Sequence, residues 1–289
     1  MNHDIRIPSK RTRSMRIQNL HIPSHIVLAV WSLIALFPIY VMVLNSFKTK
    51  RTIFAAPFTP PAAWNTANYT DIFESRDFLG YFKNSFVVVL ISLALVLILG
   101  SLAAYAFANW RGKASGSLFF FIIAGMMLPI KIGSIRLLEL VIGLRLSNTI
   151  WSLPPVYLAM GIPVAVFILT EFIRGVPHEL IEAGFIDGAG HSRIFTTIIL
   201  PLLRPALATV AIYNLIPFWN DLWFPLIFIG NVESQKTLLL GVTRLFGQYE
   251  QDWSKILAVL TLSAVPVITL YLLMSKQFIK GMTAGAVKG

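Results

Sequence analysis

Three features of the sequence predict an all-α integral membrane protein with six transmembrane helices. The 289-residue chain is 56% hydrophobic and only 13% charged, and its mean hydropathy is +0.72. A soluble protein of this length needs more charge to cover its surface. Long apolar runs recur along the chain, and short charged segments separate them. We therefore expect one helical membrane domain to account for nearly the whole chain.

Six apolar runs come close to the length of about 20 residues with which a helix crosses the hydrocarbon core. The third run is short and has Pro129 near its end, and the fifth is expected to begin upstream, within 194–203. The fourth contains Pro154, Pro155 and Pro163. Prolines are tolerated where neighbouring helices satisfy the freed carbonyls, so we expect a kinked fourth helix inside the bundle. The predicted spans are 22–47, 84–110, 114–130, 146–170, 205–220 and 256–275.

The basic N-terminus predicts the orientation of the chain. Lys and Arg accumulate on the cytoplasmic side of membrane proteins, and six spans then place both termini in the cytoplasm. The first run is longer than a signal-peptide core and has no small-residue cleavage site, so we interpret it as an uncleaved span. The predicted organisation is a basic tail at 1–24, a transmembrane domain at 25–276 and a C-terminal tail at 277–289. The residues that set the orientation are Arg6, Lys10, Arg11, Arg13 and Arg16.

Two connections on the predicted outer side are long enough to have structure of their own. Residues 48–83 contain Pro57, Pro60 and Pro61, and residues 231–255 contain glycines and mixed charge. Each connection either touches an external partner or covers the helix ends as a lid, and both interpretations are open.

Several functional classes lack the residues that they need. The chain has no cysteine, which excludes disulfides, thiol catalysis and thiolate metal sites. It has no Gly-x4-Gly-Lys-Ser/Thr run, so we expect no ATPase site and no cofactor in this chain. His21 and His25 have i, i+4 spacing, but no zinc signature surrounds them, and we predict no metal site. The net charge of +11 is assigned to basic loops at the membrane surface rather than to nucleic-acid binding.

Residues 172–205 form a polar, glycine-containing segment between two apolar spans. Pro177 suits the first turn of a helix, and Glu179 and Glu182 then lie on one face near its positive end. Asp187 and Gly188 indicate a turn, and either Asp187 or Ser192 is expected to cap the next helix. The small residues allow another protein to approach the backbone closely, although a loop of this kind can also be polar for solubility alone.

The same segment resembles the cytoplasmic Glu-Ala-Ala loop of ABC importer permeases. In that family Glu-Ala-Ala is followed by three residues, Gly, nine residues and Ile-x-Leu-Pro, and this chain differs in having glycine where the second alanine is usual. Three further stretches resemble the maltose-type, sugar-importing branch: 84–86, 218–221 and the C-terminal run 281–289. The motif reads Glu182-Ala183-Gly184, then Gly188, then Ile198-Ile199-Leu200-Pro201.

The resemblance implies the fold and the partners of a type I ABC import permease. Such a subunit pairs with a second, homologous permease, binds two ATPase subunits that hold ATP and Mg, and receives its solute from an extracytoplasmic binding protein. The short helix in segment 172–205 would then be the coupling helix, which docks into a cleft of the ATPase. The docking residues implied are Glu179, Glu182, Ala183, Gly184, Asp187, Gly188 and Ala189.

A second group of candidate residues lies near the end of the fifth span. Trp219, Asn220 and Asp221, with Asn214 one to two turns earlier, combine aromatic and hydrogen-bonding side chains of the kind that hold sugars. Ionisable residues at membrane depth are candidates for function. The alternative interpretation is an aromatic belt at the membrane interface.

The predicted function is import of a sugar or oligosaccharide by a non-enzymatic subunit that forms half of the translocation path. The same type of permease can import another solute, such as an acidic sugar or glycerol phosphate, and Lys131, Arg136 or Arg145 would suit an anion. A stand-alone secondary carrier is the more distant alternative, because it needs ionisable residues that these spans nearly lack. A membrane-embedded enzyme needs clustered His or acidic residues at membrane depth, which the spans also lack.

Overall fold

The computed structural model describes residues 10–74, 76–110, 112–245 and 252–286, and within these ranges the secondary structure is helical. Side chains are described for these residues except 10–21, 76, 244, 274 and 276–286. The chain divides into two compact units, one of Met1–Tyr69 with Asp252–Thr261 and one of Thr70–Gln251 with Leu262–Gly289. The helices are α1 (Lys10–Ser46), α2 (Lys50–Ala55), α3 (Ala67–Glu74), α4 (Arg76–Asn109), α5 (Lys113–Ala124), α6 (Ser134–Gly143), α7 (Leu153–Arg174), α8 (His178–Ile186), α9 (His191–Ile194), α10 (Leu200–Leu202), α11 (Arg204–Trp219), α12 (Trp223–Phe228), α13 (Leu238–Val242) and α14 (Trp253–Ala286).

The predicted all-α membrane fold is confirmed, and its spans take two forms. Within the described part of the chain, four helical segments are each long and apolar enough to cross a membrane: Ile22–Ser46, Asp77–Asn109, Ile150–Arg174 and Trp253–Leu273. The third and fifth predicted spans are instead bent helix pairs. Lys113–Met127 and Ile130–Gly143 meet at 83°, and His191–Leu202 and Arg204–Trp219 meet at 73°. The count reaches the predicted six when each bent pair is one span.

Prolines explain one of these breaks and leave one helix unbroken. Pro129 lies between the two halves of the third span, where the missing N–H and the ring end a helix. Pro163, in contrast, lies inside α7, which is a continuous helix. More than half of the most apolar stretch of α7 is buried against other parts of the chain. The expected position of α7 inside a bundle is therefore confirmed.

Helices α4, α7 and α11 form the core of the second unit, and two glycines allow them to approach closely. A Cβ on Gly100 of α4 would lie 2.7 Å from the Cβ of Ala165 in α7. A Cβ on Gly161 of α7 would lie 2.6 Å from a methyl carbon of Val96 and 2.8 Å from Oδ1 of Asn214. Small residues of this kind let membrane helices gain backbone-to-backbone packing.

In the first unit, the end of α1 is joined to the loop that follows it by a buried lysine. Lys48 is only 3% exposed, and its ammonium group donates hydrogen bonds to the carbonyls of Ala56 and Pro57 and to Oδ1 of Asn45. These acceptors lie at the C-terminal ends of α2 and α1, where the helix dipoles favour a cation. Burial lowers the pKa of Lys48 below its ordinary value. The start of the predicted outer loop 48–83 is therefore held to the end of α1 by hydrogen bonds.

The predicted boundaries of the two terminal tails differ from the ends of the observed helices. Helix α1 begins at Lys10, inside the predicted basic tail 1–24, and α14 continues to Ala286, through most of the predicted C-terminal tail. Residues 1–9, with Arg6, and residues 287–289 lie outside the described residues. The tail boundaries remain predictions from charge and hydropathy.

Candidate functional site: the coupling segment

Helix α8 provides the short helix that the sequence predicts in segment 172–205. It begins at His178, and Pro177 is the residue before it, in an extended conformation with φ −53° and ψ 129°. The expectation that Pro177 lies in the first turn is therefore wrong by one residue. Glu179 is in the first turn, where the positive end of the helix dipole favours a carboxylate.

The two faces of α8 differ in exposure. Ile181, 4% exposed, and Gly184 face the interior, and a Cβ on Gly184 would lie 3.1 Å from side-chain atoms of Ile194 and Ile198. The opposite face is exposed and includes Glu182 and Ile186, whose side chain is 86% exposed. Of the predicted docking residues, Glu179, Glu182, Ala183, Asp187 and Gly188 are exposed, Ala189 is half-buried, and Gly184 packs against the following helix.

The end of α8 is a Schellman turn centred on Gly188. The N–H of Gly188 donates to the carbonyl of Phe185 at 3.0 Å, and the N–H of Ala189 donates to the carbonyl of Gly184 at 2.9 Å. This turn requires a left-handed residue, and Gly188 has φ +78°. The predicted Asp187-Gly188 turn is thus present.

The predicted caps of the next helix are wrong. Gly190 occupies the N-cap of α9, Asp187 is the C-terminal cap of α8, and Ser192 is the second residue within α9. Gly190 is in an extended conformation, and because glycine has no side chain, α9 begins without a side-chain cap.

After α9 the chain widens into a π-helical turn at Phe195–Ile199 before Leu200 and Pro201. Threonine hydroxyls in this turn bond to carbonyls of the preceding helix. The hydroxyl of Thr196 donates to the carbonyl of Ser192 at 2.9 Å, and that of Thr197 donates to the carbonyl of Arg193 at 2.6 Å. Such π-helical turns are frequent at functional sites, and this one lies directly before the 73° bend into α11.

A cluster of rings, which the sequence did not indicate, joins α8 and α9 to the end of α4. Tyr105 of α4 places its hydroxyl 3.2 Å from Nδ1 of His191. The rings of Phe185 and His191 are 5.0 Å apart, and those of Tyr105 and Phe195 are 5.3 Å apart. Tyr105 and His191 are 86 residues apart in sequence, so no local spacing could have revealed the contact.

The opposite end of α4 is fastened to the loop before α13 by the 84–86 stretch. The amide of Asn84 donates to the carbonyls of Ser234 and Lys236, each at 2.9 Å. The hydroxyl of Ser85 accepts a hydrogen bond of 2.8 Å from the N–H of Leu238. One turn earlier, the hydroxyl of Tyr81 donates to Glu233. The Asn84-Ser85 pair therefore holds a loop roughly 150 residues further along the chain.

The structure separates the residues predicted to line a solute path. Asn214 is 2% exposed and donates to the carbonyl of Val210, and Trp219 is 5% exposed and donates its indole N–H to the carbonyl of Ser263 at 2.9 Å. Asn220 is exposed. The half-buried Asp221 accepts hydrogen bonds from Tyr157 and from the N–H groups of Trp223 and Phe224. In this conformation, Asn214, Trp219 and Asp221 bond to the chain's own groups.

The break in the third span borders a groove of about 660 Å³. Its lining includes Leu128, Pro129, Ile132, Arg136 and Pro163. Of the three predicted anion-binding residues, Arg136 forms an exposed ion pair with Glu139, Lys131 lies over the Trp223 ring, and Arg145 has a positive φ of 57°. The groove is therefore mostly apolar with one charged side chain at its wall.

Comparisons with known proteins agree with this architecture. Residues 96–284 match the family described as "Binding-protein-dependent transport system inner membrane component". The chain is 40% identical over 265 residues to the putative ABC transporter permease protein ORF2 of Caldicellulosiruptor sp. (strain Rt8B.4), covering 91% of this chain and 96% of that one. It is 32% identical over 280 residues to the melibiose/raffinose/stachyose import permease protein MelC of Bacillus subtilis (strain 168), covering 96% and 99%.

The fold is also that of a solved importer. The crystal structure of a bacterial ABC transporter involved in the import of the acidic polysaccharide alginate superposes with a TM-score of 0.74 and 20% sequence identity. The match covers 94% of this chain and 99% of that chain. The family match extends from the middle of α4 to near the end of α14. The protein is therefore a multi-pass membrane subunit, and the chain belongs to the binding-protein-dependent transport system inner membrane component family.

Proposed function

We propose that this chain forms half of the translocation path of an ATP-driven importer of a sugar or oligosaccharide, and that separate ATPase subunits dock on α8. The observation that carries the proposal is the two-sided character of α8. Its inner face, with Ile181 and Gly184, is fixed against α9 and the π-helical turn, whereas its outer face combines Glu182 with the exposed Ile186. An exposed apolar side chain beside a carboxylate gives this face the mixture of apolar and polar groups that protein interfaces contain.

The sugar class is supported by the names of relatives. The diacetylchitobiose uptake system permease protein NgcG of Streptomyces coelicolor is 30% identical over 92% of this chain, and MelC is named for three sugars. An anionic sugar is the second candidate, because the solved structural neighbour belongs to an alginate importer and Lys131 and Arg136 border the third-span break.

The proposed assembly contains one copy of this chain, a homologous permease, two ATPase subunits and an extracytoplasmic solute-binding protein. A second alginate-transporter structure, with a TM-score of 0.65, is described as a complex with a periplasmic protein that holds an alginate pentasaccharide. ATP and Mg would bind in the ATPase subunits. We propose cytoplasmic termini in the bacterial inner membrane, which places α8 on the ATPase side.

The docking proposal is tested by changing the outer face of α8. Glu182→Lys and Ile186→Asp should each lower co-purification of the ATPase subunits by about tenfold or more, since central interface residues contribute about 2 kcal/mol or more. Glu74→Lys, the same change at an exposed residue near the end of α3, is the matched control and should leave co-purification unchanged. Normal co-purification and uptake with both α8 variants would refute docking at this face.

A further inference from the structure

We infer that α4 is a stiff link between the coupling segment and the loop at residues 231–238, and that Ser85 and Tyr105 are positioning residues which fasten its two ends. The inference rests on the proposed function, because it assumes that α8 is moved by an ATPase. It adds a route by which that movement reaches the far end of the domain.

The first observation is that α4 lacks the internal proline that the other long helices contain. Within the described residues, α1, α7, α11 and α14 each contain an internal proline, whereas α4, 34 residues long, contains none. A proline inside a helix removes a hydrogen bond and favours a kink. From Ser85 to Tyr105 an α-helix rises about 30 Å, which is about the thickness of the hydrocarbon core.

The second observation is that both ends of α4 are attached to other elements by side-chain contacts. At the N-terminal end, Asn84 and Ser85 bind the backbone of residues 234–238. At the C-terminal end, Tyr105 bonds to His191 and contacts Phe195. Because His191 in turn contacts Phe185 of α8, a displacement of α8 moves the end of α4 through packed rings.

The third observation is that the middle of α4 is closely packed against its neighbours α7 and α11. Val96 and Ala104 are fully buried, and Gly100 brings α4 against Ala165 of α7. The hydroxyl of the buried Ser92 donates only to the carbonyl of Val88 in its own helix. The described contacts that connect α4 to the loop and to the coupling segment are thus concentrated near its two ends.

The test uses single cysteine reporters, which are unique in this chain because it has no native cysteine. Val232→Cys reports on the loop and Ile186→Cys reports on α8. Each is introduced into the complete transporter in proteoliposomes, and its labelling rate with a fluorescent maleimide is measured with and without Mg-ATP plus orthovanadate. We expect both rates to change severalfold in the otherwise unchanged protein.

Substitutions then remove the contacts at one end of α4 or the other. Tyr105→Phe removes the hydroxyl that contacts His191, His191→Ala removes the hydrogen bond and the ring, and Ser85→Ala removes the acceptor of the Leu238 N–H. Each should reduce the ATP-dependent change at Val232→Cys by at least about fivefold and leave the change at Ile186→Cys intact. Ser92→Ala, on the same helix, and Tyr213→Phe, on α11, are matched controls that should alter neither reporter.

The double variant distinguishes a link from two independent structural roles. Contacts in one chain of transmission are not additive, so Ser85→Ala with Tyr105→Phe should reduce the response no further than the stronger single change. Additive losses, or an unchanged Val232→Cys response in either single variant, would overturn the link. If Ile186→Cys is not shielded by the ATPase subunits in the otherwise unchanged protein, the docking proposal fails, and the link fails with it.

Discussion

The hydroxyl of Tyr157 in α7 donates a 2.9 Å hydrogen bond to Oδ2 of Asp221, which lies in the three-residue connection between α11 and α12. The same carboxylate accepts bonds from the N–H groups of Trp223 and Phe224, so it fixes the start of α12 against α7. The Tyr157 ring also stacks on Phe218 at 4.7 Å. The contacts of Asp221 in this conformation are therefore those of a structural residue.

Asp221→Ala should consequently lower stability more than it changes solute recognition. It leaves a buried hydroxyl and two N–H groups without their acceptor, and hydrogen bonds to charged groups contribute about 1.5–3 kcal/mol. Thermal unfolding in detergent measures this loss, and Asn220→Ala at the exposed neighbour should shift stability by at most about 0.5 kcal/mol. A variant of normal stability with a raised KM for uptake would instead assign Asp221 to the solute path.

Gly188→Ala should destabilise the coupling segment, because an L-residue in the left-handed conformation costs about 1–2 kcal/mol. Gly188→Asn should recover part of this loss, since asparagine adopts that conformation more readily. Protease cleavage between α8 and α9, compared at equal temperature, is the measurement. Gly190→Ala, at a residue with φ −78°, is the control, and equal cleavage of both alanine variants would contradict the turn assignment.

Gly161→Ala should destabilise the bundle of α4, α7 and α11. The new methyl would meet Val96 and Asn214 at distances shorter than van der Waals contact, and overpacking of this kind costs about 1–3 kcal/mol. Gly116→Ala in α5 should have the opposite sign, because nothing lies within 4 Å and alanine favours a helix by about 1 kcal/mol. Thermal unfolding of the two variants compares them, and a stabilising Gly161→Ala would show that the helices are further apart.

Lys48 should make stability depend on pH in the alkaline range. Because the pKa of Lys48 is lowered in the folded protein, the unfolded chain binds more protons between that pKa and the ordinary value of 10.5. Stability therefore rises with pH in that window, and the cost of the buried charge is fully present below it. The unfolding temperature of the unchanged protein minus that of Lys48→Met should therefore rise as the pH is raised toward the ordinary pKa of 10.5. A constant or shrinking difference would contradict the burial of the ammonium group.

The sequence predicted the position of the candidate site, but it predicted the contacts of the residues in that site less well. The position of α8 and the turn at Gly188 follow from local chemistry, because glycine is the residue that tolerates the left-handed conformation. The caps of α9 were mispredicted, since the Schellman turn gives Asp187 to the end of α8 rather than to the start of the next helix. Gly184 looked like a small docking residue, and only the packing of Ile194 and Ile198 places it on the inner face.

By itself, the sequence determined that this is a helical membrane protein with apolar spans and one polar, glycine-containing segment at 172–205. Those properties depend on composition, length and residues close together in the chain, which the bilayer and the backbone constrain locally. Only the tertiary structure decided where the third and fifth spans bend and which side chains Asp221 binds. It also decided that Tyr105 meets His191 and that Ser85 meets Leu238. These contacts join residues 86 or more positions apart, and they depend on how the helices pack rather than on any periodicity within them.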